Sequence, residues 1–198
     1  MINLLKKLVA TAWLTVGVLT AHAATLVVDS FGKLTGARGV LVDSKYYNVD
    51  FRDGTCAALF DQCDSSSDFQ FGLDTSVAAS QALLDQVFIG VYDSHPELTA
   101  GCEDVRVCWV LTPTAVDLAT GVVYTQHARN YFYESFDAAD YTTLPGGSYA
   151  AEDEHFVWAL WSLPVSIPEP ATLALVTLGL AGSFALRRRR DNEQTRLG

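Results

Sequence analysis

Three histidines offer the chain its most obvious acid–base chemistry. His95, His127 and His155 each have a nearby acid: Glu97, Glu134, and the run Glu152-Asp153-Glu154. A hydrolase built on such pairs needs a nucleophile beside the imidazole and donors for the oxyanion. The sequence holds no Gly-x-Ser-x-Gly, no His-Glu-x-x-His and no phosphate-binding glycine loop. The acidic run reads as a solvated loop. Paired carboxylates are found by chance in any acidic chain, so they do not argue for a glycosidase. No catalytic residue is assigned.

Asp61, Asp64 and Asp68 share a loop with Ser65, Ser66 and Ser67. Carboxylates and hydroxyls are hard oxygen ligands of the kind Ca²⁺ takes, but the spacing departs from an EF-hand loop. The segment reads as a polar, turn-forming loop, with no metal ligand and no cofactor assigned. The "NYFYESF" stretch gathers Tyr131, Phe132, Tyr133 and Phe136. With Trp109, Trp158 and Trp161 these rings offer a stacking platform for sugars. Aromatic residues in alternating strands are more often core, and that is the expectation here.

The four cysteines, Cys56, Cys63, Cys102 and Cys108, fall in the central segment. An even number in an exported segment points to two disulfides, and the clustering favours Cys56–Cys63 and Cys102–Cys108. Zinc sites space their cysteines more tightly, and no activating histidine marks a catalytic thiol.

The elements that must position these residues are mostly strands. "YYNVDFRDG" alternates, with Tyr47, Val49 and Phe51 on one side, and ends at Asp53-Gly54. "GVLVDSKYY" before it predicts a hairpin turning at Asp43-Ser44-Lys45, and Leu26 to Phe31 is a further strand. "VRVCWVLT" puts Val105, Val107, Trp109 and Leu111 on one face. "GVVYTQHARNYFY" is its return strand after a turn at Thr120-Gly121, and "HFVWALWSLP" is the last strand. "DTSVAASQALLDQVFIG" predicts one helix, capped by Asp74 or Thr75 and stopped at Gly90. Val77, Leu84, Val87 and Phe88 are its expected inner face, with alanines beside them. No repeat of solenoid or propeller length is present. The fold expected is mainly β: an antiparallel, sandwich-like ectodomain with one packed α-helix.

Both ends differ from the middle. Lys6 and Lys7 precede an uncharged apolar run, Leu8 to Thr20, followed by Ala21-His22-Ala23. This is the pattern of a signal helix cut by signal peptidase after Ala23. The segment 24–166 then keeps 20 of the 23 acidic residues and 6 of the 13 basic ones. Its net charge is −14, against −10 for the whole chain. Such a domain is repelled by nucleic acid and anionic lipid, so neither is an expected partner.

At the other end, Pro168-Glu169-Pro170 precedes an uncharged run, Ala171 to Leu186, closed by Arg187, Arg188, Arg189 and Arg190. As a helix the run is about 24 Å long, slightly short of a hydrocarbon core of about 30 Å. Arginine snorkelling covers the difference. The arginines stop transfer and stay cytoplasmic, which leaves the ectodomain outside the inner membrane. The prolines keep the junction extended, a form a membrane-embedded protease or transpeptidase grips.

Proline-glutamate-proline, apolar helix and arginine cluster in this order resemble the PEP-CTERM sorting signal. The resemblance covers Ile167 to Arg190, with Ile167 where valine is common. Such tails also carry the label ice-binding protein C-terminal domain, which implies no ice binding by an ectodomain. The resemblance implies export in a Gram-negative bacterium, often a maker of exopolysaccharide. It also implies an exosortase that recognises Pro168, Glu169 and Pro170 and removes the tail. The domains expected are a signal peptide (1–23), an acidic ectodomain (24–166), a sorting signal (167–190) with a transmembrane helix (171–186), and a cytoplasmic tail (191–198). The inner membrane is then a transient partner, and the destination is the cell surface or the extracellular matrix of a biofilm. The ectodomain reads as non-catalytic, with exopolysaccharide as its expected partner. A secreted hydrolase of another family and a Ca²⁺-dependent adhesive module are the alternatives.

Overall fold

A computed structural model describes residues 23–144 and 153–165. The expected signal peptide and transmembrane helix, the sorting motif and the arginine cluster lie outside the described residues. Among the described residues no helix is long and apolar enough to cross a membrane.

The strands are β1 (Thr25–Val28), β2 (Leu34–Val42), β3 (Lys45–Arg52), β4 (Val107–Asp117), β5 (Val122–Tyr131), β6 (Ala138–Leu144) and β7 (Phe156–Ser162). One short helical turn, α1 (Cys56–Leu59), and one long helix, α2 (Leu73–Gln86), lie between β3 and β4. All seven strands join one sheet in the order β1-β2-β3-β7-β4-β5-β6. This corrects the antiparallel sandwich. β7 inserts between β3 and β4 and runs antiparallel to the first but parallel to the second, so the sheet is mixed. The strand signals are local, whereas this insertion is a long-range pairing that local pattern does not encode. β6 has no counterpart in the sequence reading. β1 is shorter than expected, ending before a turn at Asp29, whose carboxylate accepts from the Phe31 and Lys33 amides.

The sheet is covered differently on its two faces. Along β7, Val157, Ala159 and Trp161 enter one cluster with Val49, Val110, Leu83 and Val87. Trp158 enters the other with Phe60, Phe69, Leu111 and Val123, and Phe156 and Leu160 pack against it. This is the period-two alternation of a strand buried on both sides.

The first face is covered by α2, which packs on β5, β4, β2 and β6. Its buried residues are Ser76, Ala79, Ser80, Ala82 and Leu83. Of the expected inner face, Val87 and Phe88 are fully buried and Leu84 packs against the core while partly buried; Val77, 44% exposed, is the correction. Small side chains let the helix axis approach the sheet closely, and Leu83 and Val87 fill what remains. The helix starts at Leu73 with Gly72 as N-cap, ahead of Asp74 and Thr75, and gives way at Val87 rather than Gly90. Val105 precedes β4 and is exposed, so only Val107, Trp109 and Leu111 of its expected row lie in the strand.

The second face is covered in part by the segment from α1 to Phe69, closed on itself by Cys56–Cys63. Phe69 packs on the second face and Phe71 on the first, so the chain changes face at Gln70. It does so where β4 and β7 part. Their parallel pairing spans only Trp109↔Phe156 to Leu111↔Trp158, while β4 continues to Asp117 and β7 to Ser162. Pro113, which has no amide to donate, sits in β4 just past that point.

Candidate functional site

The second face carries a row of aromatic and polar side chains built by β4 and β5. Trp109 pairs across the ladder with Arg129, and Leu111 with His127, so Trp109 and His127 are diagonal neighbours. Their rings stack at 4.9 Å with 3° between planes. Phe156 meets Trp109 edge-on at 5.0 Å. The Arg129 guanidinium lies 5.9 Å from the Trp109 ring centre and 6.0 Å from that of Tyr131, within cation–π range. Asp140 of β6 holds the same guanidinium at 2.8 Å.

The row continues into the β5–β6 hairpin. Tyr131 lies 6.2 Å from Phe136, Phe136 lies 6.3 Å from Tyr133, and Tyr133 lies 4.9 Å from Phe132. Two backbone amides fix this loop: the Tyr131 amide donates to the Asp137 carboxylate, and the Phe132 amide to the Arg106 carbonyl. Phe132, Tyr133 and Phe136 are 43%, 66% and 64% exposed. Three adjacent rings in water on a backbone-anchored loop form a contact surface that core packing does not require.

The expected platform therefore divides. Trp158 is core and donates its indole N–H to the Gly54 carbonyl at 2.9 Å. Trp161 is core on the first face and donates to Thr112 Oγ1 at 3.1 Å. Trp109 and Tyr131 are half-buried, and the three loop rings are exposed. Arg129 was missed in the sequence; its only signal was an arginine alternating with aromatic residues along β5.

The histidines separate as well. His127 is 2% exposed, and its imidazole is pushed down to about 4, chiefly by burial and secondly by Arg129, with Asp140 opposing. It is neutral at physiological pH. Among the described residues its Nδ1, the Trp109 Nε1 and the Arg129 Nε are buried without hydrogen-bond partners. His95 Nδ1 lies 3.0 Å from Glu97 Oε1 and its ring meets Phe132 edge-on. His155 sits between two carboxylates, with Nδ1 2.7 Å from Asp153 and Nε2 3.1 Å from Asp104. A neutral imidazole has one N–H, so serving both acceptors requires the imidazolium. Its pKa is accordingly raised, first by the Asp153 hydrogen bond. Asp104 is held well below the usual carboxylate range, chiefly by its hydrogen bond from Arg106. Among the described residues no hydrogen bond joins the ring of any of the three histidines to a serine, threonine or cysteine side chain. Glu152 lies outside the described residues.

Asp61 and Asp64 are exposed, while the Asp68 carboxylate accepts from the Asp64 and Ser65 amides in a capping box. Among the described residues the group of three with metal-ligating reach is Asp104, Glu154 and His155. Arg106 already neutralises Asp104 there. Cys56 bonds Cys63, and Cys102 bonds Cys108. The second bridge lies fully buried under the entry to β7, where the Glu154 carbonyl accepts from the Glu103 and Asp104 amides.

β7 delivers the chain to Pro164 at the end of the sheet opposite the β5–β6 hairpin. Beyond it, residues 166–190 match the model of the PEP-CTERM protein-sorting motif. The chain carries a PEP-CTERM sorting signal. The motif implies an exosortase as processing partner and an exported, membrane-anchored precursor sorted to the cell surface. No curated protein and no solved structure matches the chain.

Proposed function

We propose that this PEP-CTERM protein is a non-catalytic surface or matrix component whose ectodomain binds polysaccharide through Phe132, Tyr133 and Phe136. The observation that carries the reading is the exposure of these three rings on an anchored loop, in a chain whose tail directs it to the surface. Sugar rings present C–H faces that pack on aromatic rings, and hydroxyls that Arg129 and Asp140 at the rim can bond. The acidic ectodomain repels polyanions, so the glycan is neutral or weakly charged. Exosortase processing would free the domain after delivery.

Two measurements test the two halves. Intact mass of the protein recovered from medium and envelope of its host reads the sorting. Loss of residues 1–23 and of the apolar tail is expected, with the tail retained when Pro168, Glu169 and Pro170 are all changed to alanine. A wild-type chain ending at Gly198 overturns sorting. Affinity electrophoresis in neutral glucans and in the host's own polysaccharide reads the binding. Tyr133→Ala with Phe136→Ala is expected to weaken binding about tenfold, from roughly 0.5–1.5 kcal/mol per stacked ring. Equal retardation of variant and wild type overturns the aromatic assignment.

A further inference from the structure

Where α2 begins at Leu73, the first face is left partly open. There β4, β5 and β6 line a groove of about 440 Å³. This is the size of a small-molecule site. A bulge shapes it. Along β4 the register moves between Pro113↔Thr125 and Ala115↔Tyr124, so Thr114 is an extra residue, and its hydroxyl donates to the Tyr124 carbonyl at 3.1 Å. Bulges bend a strand, re-aim its side chains and gather beside functional sites. Tyr124 of β5 and Tyr141 of β6 are diagonal neighbours, with rings 6.3 Å apart and 17° from parallel. Both lie on the first face, because Tyr124 and Gln126 precede Ala128 of the α2-side core at period two.

One amide stands out in this groove. Gln126 lies opposite Tyr141 and is only 6% exposed, yet among the described residues its side chain has no hydrogen-bond partner. A primary amide carries two N–H donors and a carbonyl acceptor, and leaving them unmatched when buried costs stability. Among the described residues no Asp, Glu, Lys, Arg or His lines the groove. An ion would lose its water there and gain no counter-charge. An uncharged secondary amide fits instead: its N–H donates to the Gln126 carbonyl, and the Gln126 N–H donates to its carbonyl. Leu73 and Tyr141 are 54% and 46% exposed, so the groove stays open to water on one side. An occupant needs one side for the tyrosine rings and another for solvent. A pyranose has both, with C–H faces that pack on rings and hydroxyls that stay wet.

We infer that this groove binds an uncharged N-acetylated sugar, with its acetamido group paired to Gln126 and its ring against Tyr124 and Tyr141. The site lies at the other end of β5 from Phe132, Tyr133 and Phe136 and uses none of those rings, so it stands or falls independently of binding at that loop.

The test uses the full-length chain purified in a detergent without a sugar headgroup. It is titrated calorimetrically with cellotriose, triacetylchitotriose and chitotriose. The three share one backbone and differ in a single substituent on each sugar: hydroxyl, acetamido, or ammonium in mildly acidic buffer. Triacetylchitotriose is expected to bind about tenfold more tightly than cellotriose, the contrast that two sheltered hydrogen bonds provide. Gln126→Leu removes the amide at similar volume and is expected to erase that contrast. Tyr141→Ala, at an exposed position on the groove, is expected to weaken triacetylchitotriose about three- to tenfold with little change in melting temperature. Tyr133→Ala with Phe136→Ala is expected to leave the contrast intact, whatever it does to polysaccharide retardation. Equal affinity for the acetylated and hydroxyl sugars, tightest binding of chitotriose, or absence of saturable binding overturns the proposal. So does triacetylchitotriose binding unaffected by Tyr141→Ala, or a contrast that survives Gln126→Leu or vanishes in the loop variant.

Discussion

Both faces of the sheet bury an aromatic cluster, Tyr47, Phe71 and Trp161 on the first and Phe60, Phe69 and Trp158 on the second, but what covers each face differs. Under α2 the contacts are aliphatic and small: Ala79, Leu83 and Val87 against Val49, Val110 and Val157, all fully buried. On the other face the rings of Phe60, Phe69 and Trp158 pack edge to face beneath a disulfide-closed loop. The row then passes through Trp109, His127 and Arg129, whose buried nitrogens lack partners, to rings standing in water. A buried polar atom without a partner costs stability. Unpartnered buried polar atoms occur on both faces, Ser80 Oγ under α2 among them, but among the described residues the run of nitrogens leading to the exposed loop lies on the second face. Deviations of this kind concentrate where a surface has work besides folding.

Substitutions separate the two faces by size of effect. Leu83→Ala should cost the most, about 2–5 kcal/mol by chemical denaturation, because α2 is pinned to a close-packed sheet and cannot collapse onto the void. Opening Cys56–Cys63 by a double change to alanine should cost less, roughly 2–3 kcal/mol for so short a loop. It should also shift tryptophan fluorescence to the red as the cover over Trp158 loosens, which opening Cys102–Cys108 should not do. A larger loss from the Cys56–Cys63 change than from Leu83→Ala would reverse the ranking of the faces.

His127→Phe should run the other way and stabilise by about 1 kcal/mol, since it removes an unpartnered buried nitrogen and keeps a ring on Trp109. The same variant sharpens the comparison in pH. A folded-state value lowered to about 4 means that titration of His127 adds no further cost above the unfolded value of about 6.5 and drains stability as pH falls from there toward 4. The variant's melting temperature should fall less over that window. A parallel decline in both proteins would mean that the ring is not neutral in the fold.

The smallest effect belongs to His155, outside either face, and has the opposite sign. Its folded value is raised, so its contribution is complete below about pH 6.5 and is lost as pH rises through the folded value. The groups around it are Asp153, Asp104 with its Arg106, and Glu154. His155→Asn should flatten a shallow alkaline decline in melting temperature; an unchanged decline would place its origin elsewhere.

Much of this fold is legible from local pattern. The alternation of "YYNVDF" and "HFVWALW", the turn at Asp43-Ser44 and the helix over 73–86 all rest on interactions within a few residues. The inner face of the helical segment was legible at Val87 and Phe88, which are buried, and misread at Val77, which hydrophobicity favours. The close approach to the sheet selects Ser76, Ala79 and Ser80 instead, and small side chains carry little hydrophobic signal. The candidate site was legible as residue types but not as a place. "NYFYESF" names the exposed rings, yet nothing local says that Trp158 and Trp161 go to the core while Trp109 joins Arg129.

By itself the sequence determined the delivery signal, because a sorting tail works as a linear string: prolines, apolar run and arginines in order. It also determined the acidic charge and the short cysteine spacings, properties that need no partner far along the chain. Only the tertiary structure decided that β7 enters between β3 and β4, that the sheet is single and mixed, and that a fork opens past Leu111 and Trp158. Each of these depends on which distant strand supplies the hydrogen bonds. Period-two alternation specifies that a strand exists and which side chains share a face, but not its neighbour.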